Sequence, residues 1–226
     1  QIDSFQIMYP NCSEIEGDVQ IGQLWTTSSD INNLNGLSVL NTIGGNLNIF
    51  WNDSLNSLSG LDGLTSIGGL TLVGNDSLSS LAGLEGLRSI DGDVWIGSHP
   101  KVGGGTSLIN LSGLEGLTSI GGEFYIFWNE SLSNLAGLNG LISIGGGFRI
   151  IHNNDLTNII GLDELKTIGG RLDIDHNDAL SSLSGLGELN NIGGLRILRN
   201  ILLSNLTGID NIETGTITNL TIVGNP

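Results

Sequence analysis

Residues 43–66 read I-G-G-N-L-N-I-F-W-N-D-S-L-N-S-L-S-G-L-D-G-L-T-S, and this stretch decides the fold. Leu47 and Ile49 are two residues apart, so both side chains point to one face of a β-strand. Leucines then recur at every third position from Leu55 to Leu64, a spacing that favours bends and short strands. Glycine at this density disfavours a helix, since each one costs about 1 kcal/mol relative to alanine. The stretch therefore predicts one coil of a β-solenoid.

The same pattern recurs along the chain with a period of about 24 residues, inside the range of leucine-rich repeats. No coil can bury its leucines alone, and stacking at about 4.8 Å buries them against the next coil. We predict an all-β fold, a right-handed parallel β-helix of about nine coils. Two coils carry insertions, at 23–29 and 98–106, and two lack one residue before the strand, at Leu70 and Leu195. The repeat begins at Ile15, Ile43, Ile67, Ile90, Ile120, Ile144, Ile168 and Ile192.

Three columns of turn residues repeat with the coils. We expect the Gly-Gly pair after each isoleucine to supply a turn with positive φ, which glycine adopts most readily. A second glycine column begins at Gly60. The third column is asparagine, whose side chains can form a ladder between stacked coils. We predict that this ladder is structural, and that the glycosylation sequons at its first three members are not modified. Its members are Asn52, Asn75, Asn129, Asn153, Asn177, Asn200 and Asn225.

The charge balance excludes two classes of partner. The formal net charge is −16, with seven Lys and Arg in the whole chain. Such a chain cannot build a stripe that tracks phosphates, so we expect no nucleic-acid binding, and adhesion to anionic lipid is disfavoured. No run of 18 apolar residues is present, so we expect no membrane insertion. The sequence also has no nucleophile or phosphate-loop motif, and we predict that it is not an enzyme.

Aromatic residues cluster at one position of the coil and carry the binding hypothesis. The residue between the two inward strand positions points outward, and other rings follow directly after the strand. Exposed aromatics at this density indicate a binding site. The competing interpretation is that they cover a coil corner or pack on the insertion at 98–106. The predicted ligand-binding residues are Trp95, Tyr125, Phe127, Trp128, His152 and His176, with Phe50 and Trp51 on an earlier coil.

Metal and ice binding are weaker hypotheses. His152 and His176 lie one period apart and could hold zinc with Asp175 or Asp178, but adjacent histidines are more often surface residues. Acidic columns at Asp62, Glu85 and Glu115, and at Asp53, Asp76 and Glu130, could take Ca²⁺, although no compact calcium loop is present. We therefore expect no metal and no cofactor. Regular small polar columns beginning at Ser57 and Thr42 leave an ice-binding face as a further alternative.

The repeat, with the head segment Cys12–Ile21 before it, resembles the receptor L domain, the ligand-binding β-solenoid of insulin- and epidermal-growth-factor-type receptors. It is more similar to secreted, leucine-rich surface proteins of bacteria that contain such coils. The resemblance implies a secreted or cell-surface recognition and adhesion module that binds a protein or glycan. A structural spacer, or a filament subunit assembling head to tail through the solenoid ends, is the rival hypothesis.

The resemblance also bears on the ends of the chain. Residues 1–14 are similar to an N-terminal cap, and residues 15–226 form a single solenoid. In the family, an upstream cysteine pairs with the one at the Cys12 position, and a C-terminal cap follows the final Asn225-Pro226. We therefore expect that the chain is a fragment, truncated before its C-terminal cap. Cys12 is then either a free thiol or half of a disulfide with a cysteine outside this sequence.

Overall fold

The computed structural model describes residues 2–22, 29, 31–98, 106–213, 215 and 217–226. The chain is a right-handed parallel β-solenoid of about eight turns with about 5% helix. The predicted all-β class and coil architecture are confirmed, and the predicted number of coils is close. Parts of both predicted insertions, 23–28 and 99–105, lie outside the described residues. Within the described ranges, no helix has the length and apolarity needed to cross a bilayer.

Helical turns lie near the N-terminus and in the first coils, and strands make up the rest of the regular structure. The 3-10 segments are Ile2–Ser4 and Asn35–Leu37, and helix α1 is Phe5–Met8. The strands are β1 Glu14–Ile15, β2 Val19–Gly22, β3 Thr42–Phe50, β4 Ser66–Val73, β5 Ser89–Ile90, β6 Val94–Gly97, β7 Ser119–Ile120, β8 Phe124–Phe127, β9 Ser143–Ile144, β10 Phe148–Ile151, β11 Thr167–Asp175, β12 Asn191–Leu198 and β13 Leu220–Val223.

Two parallel ladders run along the rod, and together they form one sheet. The first ladder joins the short strand that begins each coil, as where Ser119 lies opposite Ser143. The second joins the main strand, as where Ile126 lies opposite Ile150. In β3, β4, β11 and β12 the two segments are one continuous strand. The pairing shifts register between β3 and β4 and between β11 and β12, where the sequence is one residue short.

The leucines and isoleucines of each coil point inward and form one continuous core. Leu47 and Ile49 of the main strand are completely buried. The leucines from Leu55 to Leu64 are also completely buried, but they lie on successive tight turns rather than on strands or a helix. The amide of Leu64, for example, donates to the carbonyl of Leu61 at 2.9 Å. Each turn brings one leucine inward, which explains the spacing of three.

The Gly-Gly pairs have a different role from the one predicted. Positive φ occurs in the second glycine column, at Gly60 for example (103°), and not at the Gly-Gly pairs. At Gly68 a Cβ atom would lie 2.6 Å from the carbonyl oxygen of Gly44 on the coil before it. The pair is therefore required because stacked coils approach closely at this corner, and a side chain would collide with backbone. The prediction of a positive-φ turn there was wrong.

The predicted asparagine ladder is present and is buried. The side-chain oxygen of Asn153 accepts hydrogen bonds from the backbone and side-chain nitrogens of Asn129, both at 3.1 Å. The side-chain nitrogen of Asn129 also donates to the carbonyl of Ile96 on the preceding coil, at 3.1 Å. Where a coil lacks the asparagine, a hydroxyl takes its place: Thr106 donates to Asn129 at 2.7 Å, and Ser29 donates to Asn52. From Asn129 to Asn225 the ladder thus links consecutive coils.

The two ends of the rod differ. At the N-terminal end, Ile2 and Phe5 pack against the core of the first coils, and a cleft of about 930 Å³ lies between this segment and strand β2. At the other end, strand β13 exposes its apolar side chains, and Leu220 is 61% exposed. The N-terminal segment therefore covers one end, while apolar surface is open at the other.

Candidate binding ridge

Two columns of side chains meet along one edge of the rod. The outward position of the main strand carries Trp95 on β6, Tyr125 on β8 and Arg149 on β10, which lie opposite one another in the parallel register. We call the position directly before each ladder asparagine the corner column. It carries large side chains after strands β8, β10, β11 and β12. We define the aromatic ridge as Trp95, Tyr125, Phe127, Trp128, His152 and His176.

The rings of the aromatic ridge stack on one another. The ring centroids of Trp95 and Tyr125 are 3.9 Å apart with planes 14° from parallel. Trp128 stacks on His152 at 4.0 Å, and His152 stacks on His176 at 4.5 Å. An edge contact at 6.0 Å joins Phe127 to Trp95, and Phe127 is adjacent in the chain to Trp128 of the second stack. The six residues that the sequence predicted as the main site are therefore brought together.

Stacking limits which surfaces of the rings reach solvent. Trp95 is 37% exposed, and the other five ridge residues are half-buried. Tyr125 lies between Trp95 and the Arg149 guanidinium, which is 4.7 Å from the ring centroid, so both faces of Tyr125 are covered. Thr71 on the preceding coil lies opposite Trp95 in the strand register. Trp95 is thus the most exposed of the six ridge residues.

The corner column has an unusual backbone conformation that the sequence did not reveal. The left-handed region is strained for residues with side chains, at about 1–2 kcal/mol each. In the same column, Gly74 has φ 70° and Gly224 has φ 73°, so glycine satisfies this turn on other coils. Among the described residues, the non-glycine residues with positive φ are Trp51 (54°), Trp128 (55°), His152 (57°), His176 (53°) and Arg199 (52°).

The occupants of the corner column therefore serve a purpose other than making the turn. Glycine would adopt the turn without strain, yet five coils place a ring or a guanidinium there. Ring stacking stabilises the folded chain by about 0.5–1.5 kcal/mol per pair, which offsets part of the backbone strain at Trp128, His152 and His176. Strained backbone of this kind clusters at functional sites. The large side chains are thus present for the contacts that they make. The sequence did not reveal the positive φ, because only some coils have glycine at this position.

Arginines extend the ridge at its C-terminal end and cover two buried carboxylates. Arg196 donates to Asp173 at 2.7 Å and contacts Asp175 at 2.9 Å, and Arg171 contacts the other oxygen of Asp173 at 3.2 Å. The side chains of Asp173 and Asp175 are only 3% and 10% exposed. We call Arg149, Arg171, Arg196 and Arg199 the arginine cluster. The sequence did not reveal that these carboxylates lie beneath the guanidiniums.

One histidine of the ridge contacts this network. Nδ1 of His176 is 2.6 Å from Oδ1 of Asp175, while the guanidinium of Arg199 is 4.0 Å from the same oxygen. The contact between His176 and Asp175 is close, but it is poorly aligned for a hydrogen bond, and neither atom has another hydrogen-bond partner. The aromatic and charged parts of the surface are therefore one contiguous structure.

The environment of the ridge shifts three pKa values. Burial lowers the pKa of His152, and the neighbouring His176 adds to this effect, while Asp175 and Asp178 oppose it. Burial raises the pKa of Tyr125, with Arg149 opposing and Glu123 adding. Burial alone lowers the pKa of Arg196, but the carboxylates of Asp173 and Asp175 outweigh it and raise the value. The folded chain therefore favours a neutral His152 and a charged Arg196.

Phe50 and Trp51 lie apart from the ridge. They belong to coil two, and coil three separates them from Trp95 with Thr71 and Val73 at the equivalent strand positions. The ring of Trp51 lies over Gly74, where a Cβ atom would collide with it. The structure thus divides the predicted binding residues into a continuous ridge and a separate pair.

The polar columns mostly bond to their own coil. The carboxylates of Asp62, Glu85 and Glu115 accept hydrogen bonds from the amides of the positive-φ glycines two residues earlier, at 2.7–2.9 Å. In the column that begins at Ser57, side-chain oxygens likewise accept from backbone amides two residues later, as from Ser112 to Asn110 at 3.0 Å. Over the ranges that the structure describes, no group of three His, Cys, Asp or Glu is placed to hold a metal ion.

Within the described residues Cys12 forms no disulfide, and its sulfur donates to the carbonyl oxygen of Glu14 at 3.5 Å.

No protein-family model matches the chain, and neither the curated proteins nor the solved structures contain a significant match. The structure shows a parallel β-solenoid, and the likeness to receptor L domains remains a prediction from sequence.

Proposed function

We propose that this chain is a non-catalytic recognition module, secreted or at a cell surface, that binds a protein or glycan partner through the aromatic ridge and the arginine cluster. The observation that carries the proposal is the corner column. Five large side chains occupy a left-handed conformation that glycine fills elsewhere in the same column. Four of the five lie on consecutive coils, and strain at neighbouring positions is compatible with selection for what the side chains contact; these four are Trp128, His152, His176 and Arg199.

The composition of the surface supports the same proposal. Residues that dominate binding energy in interfaces are enriched in Trp, Tyr and Arg and cluster together. Here Trp95, Tyr125 and Arg149 form one continuous stack. Stacked rings have few accessible rotamers, so a partner can bind them at low cost in conformational entropy. The L-domain-like assignment, with its implied extracellular location, belongs to this proposal.

The test replaces the corner-column rings by the residue that the turn prefers. We expect the triple variant Trp128→Gly, His152→Gly, His176→Gly to stay folded, because relief of backbone strain offsets the lost stacking. Its unfolding temperature should lie within about 5 °C of the parent, which corresponds to about 1–2 kcal/mol. In a screen against a glycan array and a panel of surface proteins, every ligand that the parent chain captures should be lost.

A matched control is available on coil two. Trp51 has the same φ but lies outside the ridge, so Trp51→Gly should retain every ligand. If the glycine triple variant does not fold, replacement of the same three residues by asparagine, which tolerates the left-handed region, takes its place. Folded variants that bind as the parent does would show that the rings only stabilise the corner, and the proposed site would be wrong.

End-to-end assembly is the second proposal, and one observation favours it. Strand β13 exposes Leu220, Ile222 and Val223, a strip that another rod could cover. The packing of Ile2 and Phe5 over the opposite end opposes a simple head-to-tail stack. Rods that lengthen with concentration in electron micrographs would support this assembly, whereas a single sedimenting species at all concentrations would refute it.

A further inference from the structure

We infer that the corner column contains a pH-sensitive contact: acid separates the stacked rings of His152 and His176 and divides the aromatic ridge at that point. The separation does not depend on what the ridge binds. Its consequence, that a partner spanning both parts is held at neutral pH and released in acid, rests on the proposed function. Three observations carry the inference: the packing of the two rings, the charges around them and the strain of their backbone.

The two imidazoles stack on each other, and a different kind of ring lies on the far side of His152. The centroids of the two imidazoles are 4.5 Å apart. Trp128 on the preceding coil stacks on His152 at 4.0 Å, and an indole attracts a cation placed over it. A positive charge on His152 therefore strengthens its contact with Trp128, whereas positive charges on both imidazoles repel each other. The weak point in acid is the contact between the two histidines.

His176 already carries a proton on the nitrogen that faces Asp175. Nδ1 of His176 is 2.6 Å from Oδ1 of Asp175; both atoms are buried, and in the described part of the chain neither has another hydrogen-bond partner. Two lone pairs would repel each other at this distance, so the proton of the neutral ring lies on Nδ1. A further proton binds at Nε2 and makes the ring positively charged.

The carboxylates near the pair do not compensate a second positive charge. Asp175 already contacts two guanidiniums, Arg196 at 2.9 Å and Arg199 at 4.0 Å. Burial lowers the pKa of His152 and the neighbouring histidine lowers it further, while Asp175 and Asp178 oppose this shift without reversing it. The folded chain therefore disfavours the pair with both rings charged.

The strained backbone makes the corner after β11 sensitive to loss of the stack. The φ angle is 57° at His152 and 53° at His176, in the left-handed region. Stacking offsets part of this strain, and the coil after His176 presents Arg199 rather than another ring at this position. Separation of the rings therefore leaves the strain at His176 without compensation. Because each coil contacts only its neighbours, we expect this corner to open locally.

The experiment measures hydrogen exchange of single amides by NMR from about pH 7.5 to about pH 5.0, with rates corrected for the intrinsic effect of pH. The amide of His176 donates to the carbonyl of Leu198 at 3.1 Å and reports on the corner. Its protection should fall about tenfold in acid, the size expected for two like charges in a partly exposed site. The control is the amide of Trp51, which donates to Val73 at 3.0 Å and has φ 54°, with Gly74 on the next coil. Its protection should change less than about twofold.

Two variants test whether the charged pair is the cause. His152→Asn removes one ring, and asparagine tolerates the left-handed region, so protection of the His176 amide should no longer depend on pH. His99→Asn removes the third histidine of the chain and should leave the pH dependence as it is in the parent. If His152→Asn does not fold, His152→Gly takes its place, because glycine fills this corner on other coils.

Three results would overturn the inference. Equal loss of protection at His176 and Trp51 would show that acid unfolds the whole rod. Undiminished pH dependence in His152→Asn would show that the second charge is not the cause. Constant protection of the His176 amide in the parent would show that the rings stay stacked.

Repeating the glycan and surface-protein screen at about pH 5.0 separates this inference from the proposed function. Ligands captured at neutral pH should be released in acid, and ligands that stay bound would refute control by the corner. If the corner opens in acid but the screen yields no ligand at either pH, the pH-sensitive contact stands and the recognition function fails. If the corner stays closed while the glycine triple variant still loses a captured ligand, the inference fails and the recognition function stands.

Discussion

Replacement of the ladder residue Asn153 should strongly destabilise the fold. Its side chain is completely buried on the middle coils. Its amide nitrogen donates to the carbonyls of Ile126 at 3.1 Å and Ile151 at 3.3 Å and to the side chain of Asn177 at 3.2 Å. Its oxygen accepts two hydrogen bonds from Asn129, both at 3.1 Å. Asn153→Ala removes all five contacts at once.

The expected loss follows from the groups left without partners. The backbone N–H of Asn129 loses its acceptor, at about 1–3 kcal/mol, and the buried hydrogen bonds from Asn153 to Ile126 and Asn177 are lost as well. The other groups keep at least one hydrogen-bond partner. We therefore expect Asn153→Ala to lower the free energy of unfolding by about 3–5 kcal/mol in total. The matched control is Asn205→Ala, which removes one hydrogen bond to Thr207 from an exposed side chain and should cost less than about 1 kcal/mol.

The assay is urea unfolding followed by circular dichroism, with hydrogen exchange as a local readout. Because each coil contacts only its neighbours, lost protection should be greatest in the coils that contain Asn129, Asn153 and Asn177. A free energy of unfolding for Asn153→Ala within about 1 kcal/mol of the Asn205→Ala value would refute the conclusion that the ladder holds the coils together.

Three further predictions concern other parts of the fold. Gly68→Ala should destabilise the chain by about 1–3 kcal/mol, since its methyl would meet the Gly44 carbonyl, whereas Gly17→Ala has open space and should be nearly neutral; melting temperatures of both variants test this. Arg196→Ala should cost about 3–5 kcal/mol because Asp173 and Asp175 remain buried, while the same change at exposed Arg199 should cost less than about 1 kcal/mol, as chemical denaturation will show. The folded chain holds the pKa of His152 below 6.5, so the unfolded chain binds more protons in that window, and stability should be lost as pH falls from 6.5 through the folded pKa. His152→Asn should flatten this part of the stability profile, and an unchanged profile would contradict the assignment.

Much of the architecture could be predicted because it depends on repetition. Once residues one period apart stack, the inward direction of Leu47, the burial of Asn153 and the glycine at Gly60 all follow from the strand and turn geometry. The grouping of Trp95 with Tyr125, and of Trp128 with His152, follows from the same register. These residues needed only their sequence spacing to be placed side by side.

Other features could not be predicted because they depend on how closely neighbouring coils approach and how their side chains reach across. The requirement for glycine at Gly68 was assigned to backbone torsion, whereas a collision with the coil before it is the cause. The positive φ of Trp128 leaves no trace in composition, since tryptophan does not signal that conformation. The burial of Asp173 depends on Arg196 and Arg171 folding over it from two coils, and a pattern of outward strand positions predicts only that it faces solvent.

The amino-acid sequence by itself determined the period, the inward face and the stacking order, because each of these is a local property repeated until only one packing buries the leucines. Only the tertiary structure showed the arrangement of the surface: which rings stack on one another, which corner residues have a strained backbone, and which carboxylates are buried beneath arginines. Those outcomes depend on contacts of a few ångströms between side chains of different coils, and such contacts have no counterpart in the repeat pattern.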